Sequence, residues 1–215
     1  MVKKNAYTPK QRNTRKRRMK KILLVSVEGN RNNKTEKLYL EHFKGESLEI
    51  RFVPGNETDP KCLMQRLADA VEELEKGDMA VCLIDSDFDS ARNSAIRAAE
   101  EMIPRKDGVP VYLIVSAPSF EMWYLCHFAY STRQYQNSEE LMKELSRYIP
   151  EYEKSEDVYD DCLKGKEATA IQNAQKLEAY CKENGWRPHT VEYMPSTEMY
   201  IVMEWIQKVT WADKE

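Results

Sequence analysis

The sequence lacks any paired cysteine motif. Its five cysteines are scattered along the chain, their number is odd, and no two of them form a CxxC pair. A disulfide framework requires an even set of cysteines, and a structural zinc site requires closely spaced cysteine or histidine ligands. The pattern argues against both and favours a reducing cytoplasm. The cysteines are Cys62, Cys82, Cys126, Cys162 and Cys181.

Long hydrophobic runs and glycine-rich loops are also missing. No apolar stretch approaches the roughly 20 residues that a membrane-spanning helix needs, and the basic start lacks the apolar centre of a secretory signal. The chain has only seven glycines, and none of them forms a phosphate-binding loop of the Walker or Rossmann kind. We therefore expect a cytoplasmic protein that does not enter a membrane and does not itself hydrolyse ATP.

Charge is distributed unevenly along the chain. The first 21 residues contain ten Lys or Arg and no acid, whereas the rest of the chain contains 23 basic and 36 acidic residues. We interpret residues 1–20 as a disordered basic arm that neutralises nucleic-acid phosphates. Docking on an acidic partner, docking on the acidic body, and a purely solubilising role are open alternatives. The candidate nucleic-acid-binding residues are Arg12, Arg15, Lys16, Arg17, Arg18 and Lys20.

The remaining chain, residues 21–215, is long enough for one domain with a single core. Hydrophobic periodicity predicts four strands, each followed by a helix, and this alternation favours an α/β fold with a mainly parallel sheet flanked by helices. From about residue 129 the pattern changes to amphipathic helices, which we interpret as a helical C-terminal elaboration. The predicted strands are Ile22–Val27, Leu48–Val53, Met79–Ile84 and Val109–Val115.

Acidic residues follow two of these strands. Asp85, Asp87 and Asp89 end the stretch that begins at Met79, and Glu28 ends the first strand. The carboxyl ends of parallel strands share one edge of the sheet, where functional crevices lie. Clustered carboxylates need a cation or a raised pKa, and carboxylate oxygens are ligands for Mg²⁺. We therefore predict a site for Mg²⁺ (or Mn²⁺) at Glu28, Asp85 and Asp87.

Simpler structural roles are open for each acid. Asp85 and Asp87 would then belong to an acidic turn that caps the next helix, as we expect for Asp89. Glu28 would bind the backbone amides of residues 30–34. Glu121 is either a further metal ligand or a first-turn acid that complements a helix dipole.

Three further residues are weaker candidates. Glu36 lies near Glu28 but has the same first-turn alternative. His127 stands in an apolar segment and is more typical of a core histidine. Lys166, with Lys164, could neutralise a phosphate in the transition state, or could be solvated or paired with Asp160 and Asp161. Trp123 fits a core position.

Several motifs together resemble the RloB family of phage-defence proteins, over roughly residues 20–208. They are Glu28-Gly29 followed by Thr35-Glu36, the block Ala117-Pro118-Ser119-Phe120-Glu121 with Trp123 and His127, and Pro195-Ser196-Thr197. Together with Asp85-Ser86-Asp87, the first motif is also similar to a Toprim-type domain. The chain departs from the family in one place, because five residues (30–34) separate Gly29 from Thr35 where about two are common.

The resemblance implies a Toprim-like α/β fold, a role in anti-phage defence and a partner ATPase. It also implies that Asp85 and Asp87 bind Mg²⁺ and that Glu28 is a metal ligand or a general acid/base. The longer loop beside Glu28 could alter substrate access.

Two functional hypotheses follow. The first is a Mg²⁺-dependent nuclease acting on DNA or RNA in abortive infection, which would need the arm or a partner because its acidic body repels a polyanion. The second is a non-catalytic Toprim-like subunit that docks on a partner ATPase and regulates it. An enzyme that handles nucleotide or sugar phosphates is a third, less supported reading. The oligomeric state is open, with a homo-oligomer as one option.

Overall fold

The computed structural model describes residues 20–29, 35–87, 90–190 and 192–211. Of the basic arm, only Lys20 belongs to these residues, and its side chain is exposed. Asp89 and the loop 30–34 lie outside them. Among the described residues, no helix is long and apolar enough to span a bilayer.

Five strands form one sheet in the order β2-β1-β3-β4-β5. The first four are parallel, and β5 is antiparallel to β4. The predicted mainly parallel α/β sheet, compatible with a Toprim-like fold, is therefore confirmed. The strands are β1 Lys21–Val27, β2 Leu48–Phe52, β3 Met79–Asp85, β4 Val111–Ala117 and β5 Ser196–Thr197.

Two strands differ from the sequence-based expectation. β4 begins two residues later than predicted, directly after Pro110, whose nitrogen carries no hydrogen for strand pairing. Ser196 and Thr197 lie in β5, which pairs with Ser116 and Ala117, and the Thr197 hydroxyl also accepts a hydrogen bond from the amide of Met199, the first residue of the last helix. A two-residue strand has no periodicity of its own, so hydrophobic pattern does not reveal it.

Seven helices and one π-helical turn, residues Tyr159–Leu163, occur among the described residues. Asp59 caps the second helix, because its side chain accepts hydrogen bonds from the amides of Lys61 and Cys62. Thr35 is the first residue of the first helix. The helices are α1 Thr35–Glu41, α2 Pro60–Val71, α3 Ser90–Glu100, α4 Glu121–Cys126, α5 Ser138–Leu145, α6 Glu167–Glu183 and α7 Met199–Trp211.

Helices cover both faces of the sheet. Leu24, Cys82 and Val115 pack on one face in a core with residues of α2 and α3. Leu23 and Val81 belong to a larger core with residues of α1 and α4–α7 on the other face. Since alternate residues of a strand point to opposite faces, both sets of side chains must be apolar. This explains why the central strands carry continuous hydrophobic runs.

Aromatic rings fill the larger core. Trp123 and Tyr39 are fully buried, and their ring centroids lie 6.2 Å apart in an edge-on arrangement. Tyr39 also contacts the ring of Phe120 in α4's N-terminal turn, at a centroid distance of 6.0 Å. The core position expected for Trp123 is therefore observed. This packing joins α1 to α4, two of the helices that begin at the carboxyl edge of the sheet.

Candidate active site at the carboxyl edge of the sheet

The predicted acids lie where the strand order reverses. β1 and β3 are neighbours with Val27 opposite Leu83, and β1 connects to β2 on one side while β3 connects to β4 on the other. Glu28 follows β1 directly, and Asp85 is the last residue of β3. In open α/β sheets, the crevice at such a reversal is the usual ligand site.

Gly29 allows the loop after β2 to approach this crevice. Its amide donates a hydrogen bond to the carbonyl of Glu57 at 3.1 Å. A Cβ atom at position 29 would lie 2.8 Å from the carbonyl oxygen of Gly55, closer than real Cβ contacts. The close approach of the Gly55 backbone therefore requires glycine at position 29.

Arg92 of α3 forms an ion pair with the carboxylate of Glu28. The same guanidinium donates hydrogen bonds to the carbonyls of Thr58 at 2.7 Å and Asp85 at 3.2 Å, and lies 3.9 Å from a carboxylate oxygen of Asp87. Its side chain is only 14% exposed. Arg92 therefore neutralises Glu28 and connects the loop before α2 to the ends of β1 and β3.

Asp85 belongs to a second group of carboxylates. Burial raises the pKa of Asp85 well above its ordinary value, and the charges of Glu36 and Glu121 raise it further. Lys154 acts in the opposite direction, and Asp87 adds a smaller upward effect. The folded chain thus brings Glu36 and Glu121 close enough to Asp85 for their charges to disfavour its ionised form.

Glu121 is the most enclosed of these acids, with 1% of its surface exposed. The hydroxyl of Ser119 donates a hydrogen bond to Glu121 Oε2 at 2.6 Å, and Lys154 Nζ lies 3.7 Å from the same oxygen. Ser119 is itself fully buried. Two fixed partners on Oε2 orient the carboxylate and prevent it from rotating freely.

Glu36 lies in the first turn of α1 and is 5% exposed. Burial, together with the charge of Glu121, raises the pKa of Glu36 to about 7, against the lowering effect of a backbone hydrogen bond. Its Oε2 atom is buried and has no hydrogen-bond partner among the described residues. Unpaired buried oxygens are costly, so this atom fits a proton, a water molecule or a cation.

Asp87 occupies a different environment. Its side chain is 55% exposed, and its backbone φ of 41° lies in the left-handed region, which aspartate tolerates better than most residues. The amide of Asp87 donates to the carbonyl of Pro118, at 3.3 Å. Asp87 therefore lies at the solvent-facing rim of the crevice, whereas Asp85 lies inside it.

Carboxylate oxygens are the donors that Mg²⁺ and Mn²⁺ prefer, so the chemistry of this set fits a hard divalent cation. Within the described ranges, however, no three His, Cys, Asp or Glu side chains are positioned to hold one ion. Binding would require the side chains to move. Those that could supply oxygens are Glu36, Asp85, Asp87 and Glu121.

Of the three weaker candidates, Glu36 belongs to the carboxylate group, whereas Lys166 and His127 have other partners. Lys166 contacts the ring of Phe128 at 4.7 Å from its centroid and donates to the carbonyl of Cys162. Lys164 forms an ion pair with Asp160 at 2.8 Å, the pairing that we considered as its structural role. Both lysines follow the π-helical turn at Tyr159–Leu163.

His127 is a core residue, 2% exposed. Its Nδ1–H donates to the carbonyl of Trp123 at 2.9 Å, which leaves Nε2 to accept from the hydroxyl of Tyr39 at 3.4 Å. Burial lowers the pKa of His127 to about 4. The ring is therefore neutral in the folded protein at neutral pH.

This environment predicts acid sensitivity. In the unfolded chain His127 binds a proton near its ordinary pKa of about 6.5. In the folded chain it becomes protonated only near pH 4. As pH falls between these values, His127 should remove up to about 3 kcal/mol of stability. Urea unfolding across this window should show a flatter pH dependence for His127→Asn than for the wild type. Parallel pH profiles would contradict the assignment.

Three residues of the site escaped prediction from the sequence. Ser119 carried a usable signal, because it stands two residues before Glu121 in the most specific motif. Arg92 follows the acidic turn in an ordinary polar helix, and Lys154 lies in a segment without periodicity. Both lysine and arginine are too common for their identity alone to mark a site.

The comparison with known proteins gives one match. A family model described as RloB-like protein matches residues 23–206. No curated protein and no solved structure matches the chain. The matched range includes every carboxylate of the candidate site, and it covers most of the sequence. The chain therefore belongs to the RloB-like protein family.

Proposed function

We propose that this protein is a nuclease that depends on Mg²⁺ or Mn²⁺ and hydrolyses DNA or RNA phosphodiesters. The observation that carries the proposal is the group of Asp85, Glu36 and Glu121. The charges of Glu36 and Glu121 disfavour the ionised form of Asp85, and the charge of Glu121 also disfavours that of Glu36. A divalent cation would relieve this repulsion. The group lies at the reversal of strand order, where α/β proteins place their ligands.

Each residue has a distinct role in this proposal. Glu36, Asp85 and Glu121 hold the cation, and Asp87 at the rim contributes a further oxygen. The bound ion would supply a polarised phosphate and an activated water. Lys154, whose side chain is 44% exposed beside Glu121, binds a non-bridging oxygen of the scissile phosphate. Ser119 orients Glu121.

Glu28 needs a change of partner to act in the chemistry. Its carboxylate is 19% exposed and is paired with Arg92. A substrate phosphate bound by Arg92 would draw the guanidinium away and free Glu28 to become a metal ligand or a general base. The Glu28–Arg92 pair thus couples substrate binding to the availability of the acid.

The charge distribution explains why a polyanion needs help to bind. Outside the first 21 residues, acids outnumber bases by 36 to 23. The basic arm, with Arg12, Arg15, Lys16, Arg17, Arg18 and Lys20, supplies a sequence-independent phosphate tether. Removing the arm should therefore weaken binding to all sequences alike. The role in anti-phage defence and the partner ATPase are proposals that rest on family membership.

Metal binding can be tested without a substrate. Mn²⁺ should raise the melting temperature of the wild type, because a ligand that binds only the folded state stabilises it. Glu121→Gln should lose this shift, since it removes a buried anionic donor. The matched control is Glu139→Gln, which changes an exposed first-turn glutamate of α5 and should retain the shift. Equal shifts in all three proteins would exclude Glu121 as a ligand.

A non-catalytic subunit that regulates a partner ATPase is the second candidate. It is favoured by the pairing of Glu28 with Arg92 and by the fact that no three ligands are preassembled among the described residues. Phage-protection assays separate the two functions. A nuclease loses protection with Asp85→Ala, whereas a docking subunit keeps it and loses protection when residues 1–20 are deleted.

A further inference from the structure

We propose that Tyr148, Phe128 and Lys166 form a subsite that binds a base and the adjoining phosphate of a single-stranded nucleic acid. We call these three residues the aromatic platform. The inference deepens the proposed nuclease function by naming the form of the substrate, and it rests on that function. It is carried by a stacked ring pair, a lysine and the position of both relative to the carboxylates.

Phe128 and Tyr148 are stacked almost face to face. Their ring centroids lie 5.1 Å apart and their planes differ by only 13°. Lys166 Nζ lies over the Phe128 ring, 4.7 Å from its centroid. The other ring pairs that involve residues of α4 are tilted or edge-on, as in most protein cores. A planar base stacked on the ring of Tyr148 would therefore continue this parallel stack.

The stack is open to solvent at Tyr148. This side chain is 40% exposed even though Phe128 covers part of it. Tyr148 follows the last turn of α5, and Phe128 follows α4, so two separate helix ends hold the rings in place. An exposed ring on a rigid support offers stacking energy with little loss of side-chain entropy.

The platform carries positive charge. Among the residues that the structure describes, Lys166 forms no ion pair with a carboxylate, and its ammonium group is held by the carbonyl of Cys162. Arg147 adjoins Tyr148, with a side chain 66% exposed that contacts Glu144. In a protein whose body is acidic, an unneutralised lysine beside stacked rings is suited to a phosphate next to a stacked base.

The distance to the candidate active site matches a short strand. Glu121 begins α4, and Phe128 lies seven residues further along in the turn that continues it. At about 1.5 Å per residue the separation is about 10 Å. This corresponds to about three nucleotides at the roughly 3.4 Å rise of a stacked strand. One strand could therefore occupy the platform and the carboxylate site together.

A protein partner fits the surface less well. Aromatic anchors of protein interfaces lie at the centre of a larger apolar patch. Apart from Tyr148, the large exposed apolar side chains of the described residues are Tyr112, Tyr130 and Trp211, and only Tyr130, two residues after Phe128, lies near the platform in the sequence. A base in a duplex is already stacked on its neighbours, so the platform selects single strands or unpaired ends.

The test measures binding in EDTA, where no cleavage occurs. Fluorescence anisotropy is recorded with labelled oligo(dT), oligo(rU) and an oligo(dT)·oligo(dA) duplex. Tyr148→Ala should weaken binding of single strands about 10-fold or more and leave duplex binding unchanged. Tyr130→Ala is the matched control, because Tyr130 is equally exposed but outside the stack. Lys166→Ala should weaken binding, whereas Lys164→Ala, whose lysine is paired with Asp160, should not.

The outcomes separate this subsite from the nuclease proposal. The two single-strand probes decide between DNA and RNA. Equal affinities of wild type and Tyr148→Ala, or no measurable binding by the wild type, overturn the subsite even if the protein cleaves nucleic acid. Weaker self-association of Tyr148→Ala with unchanged oligonucleotide affinity also overturns it, in favour of a protein interface. Selective loss of single-strand binding supports it even if no cleavage is found.

Discussion

Asp85→Asn should abolish metal-dependent cleavage while leaving the folded protein at least as stable as the wild type. Asparagine keeps the size of the side chain but removes the charge that the proposed cation needs, so we expect a loss of roughly 100-fold or more in rate. The stability of the variant should be equal to or higher than that of the wild type, because burial and the charges of Glu36 and Glu121 all raise the pKa of Asp85. A neutral side chain is free of that repulsion.

The measurement combines a nuclease assay in Mg²⁺ or Mn²⁺ with thermal melting in metal-free, slightly alkaline buffer. If relief of repulsion is worth about 1 kcal/mol, the melting temperature should rise by about 2–4 °C. Asp107→Asn is the matched control, since Asp107 is exposed and precedes β4 at the opposite end of the sheet. Unchanged cleavage by Asp85→Asn, with or without a partner ATPase, would contradict the catalytic assignment.

Trp123→Ala should have the largest effect on stability. Trp123 is fully buried among the rings of the larger core, and such a truncation costs about 3–5 kcal/mol through lost burial and the cavity that it leaves. The cost should appear as a lower urea midpoint. Trp123 helps to join α1 to α4. The variant should therefore also show a smaller Mn²⁺-induced rise in melting temperature than a variant that is equally destabilised elsewhere.

Trp211→Ala provides the comparison for this variant. Trp211 ends α7 and is 65% exposed, so its truncation should change stability by less than about 0.5 kcal/mol. Similar urea midpoints for the two variants would show that the ring packing described for Trp123 does not hold in solution.

The architecture could be predicted because its physical causes are local in sequence. β1 and β3 are continuous apolar runs, since helices cover both faces of the sheet, and the helices between them carry clear starts such as Asp59. β5 could not be predicted, because its two residues belong to the sheet only through pairing with β4, about 80 residues earlier. Pairing with a distant strand produces no recognisable hydrophobic pattern in a segment of two residues.

The position of the strand-end acids could be predicted from the sequence, but their partners could not. Strand ends that finish in Glu28 and Asp85 point to one edge of a parallel sheet, and the structure places both there. Which acids lie close enough to influence one another's charge depends on the paths of the loops between strands and helices. We predicted that Glu28 and Asp85 share one site, whereas Glu28 pairs with Arg92 and Asp85 is influenced by Glu36 and Glu121.

Lys154 is the last residue of the candidate site to be synthesised. It reaches Glu121 from a segment that is anchored to α1 where the amide of Ser155 donates to the hydroxyl of Thr35, 120 residues away. A ribosome-bound chain that has completed the four parallel strands still lacks this lysine, and it also lacks β5. The candidate site therefore lacks one of its charged partners until most of the chain has emerged from the ribosome.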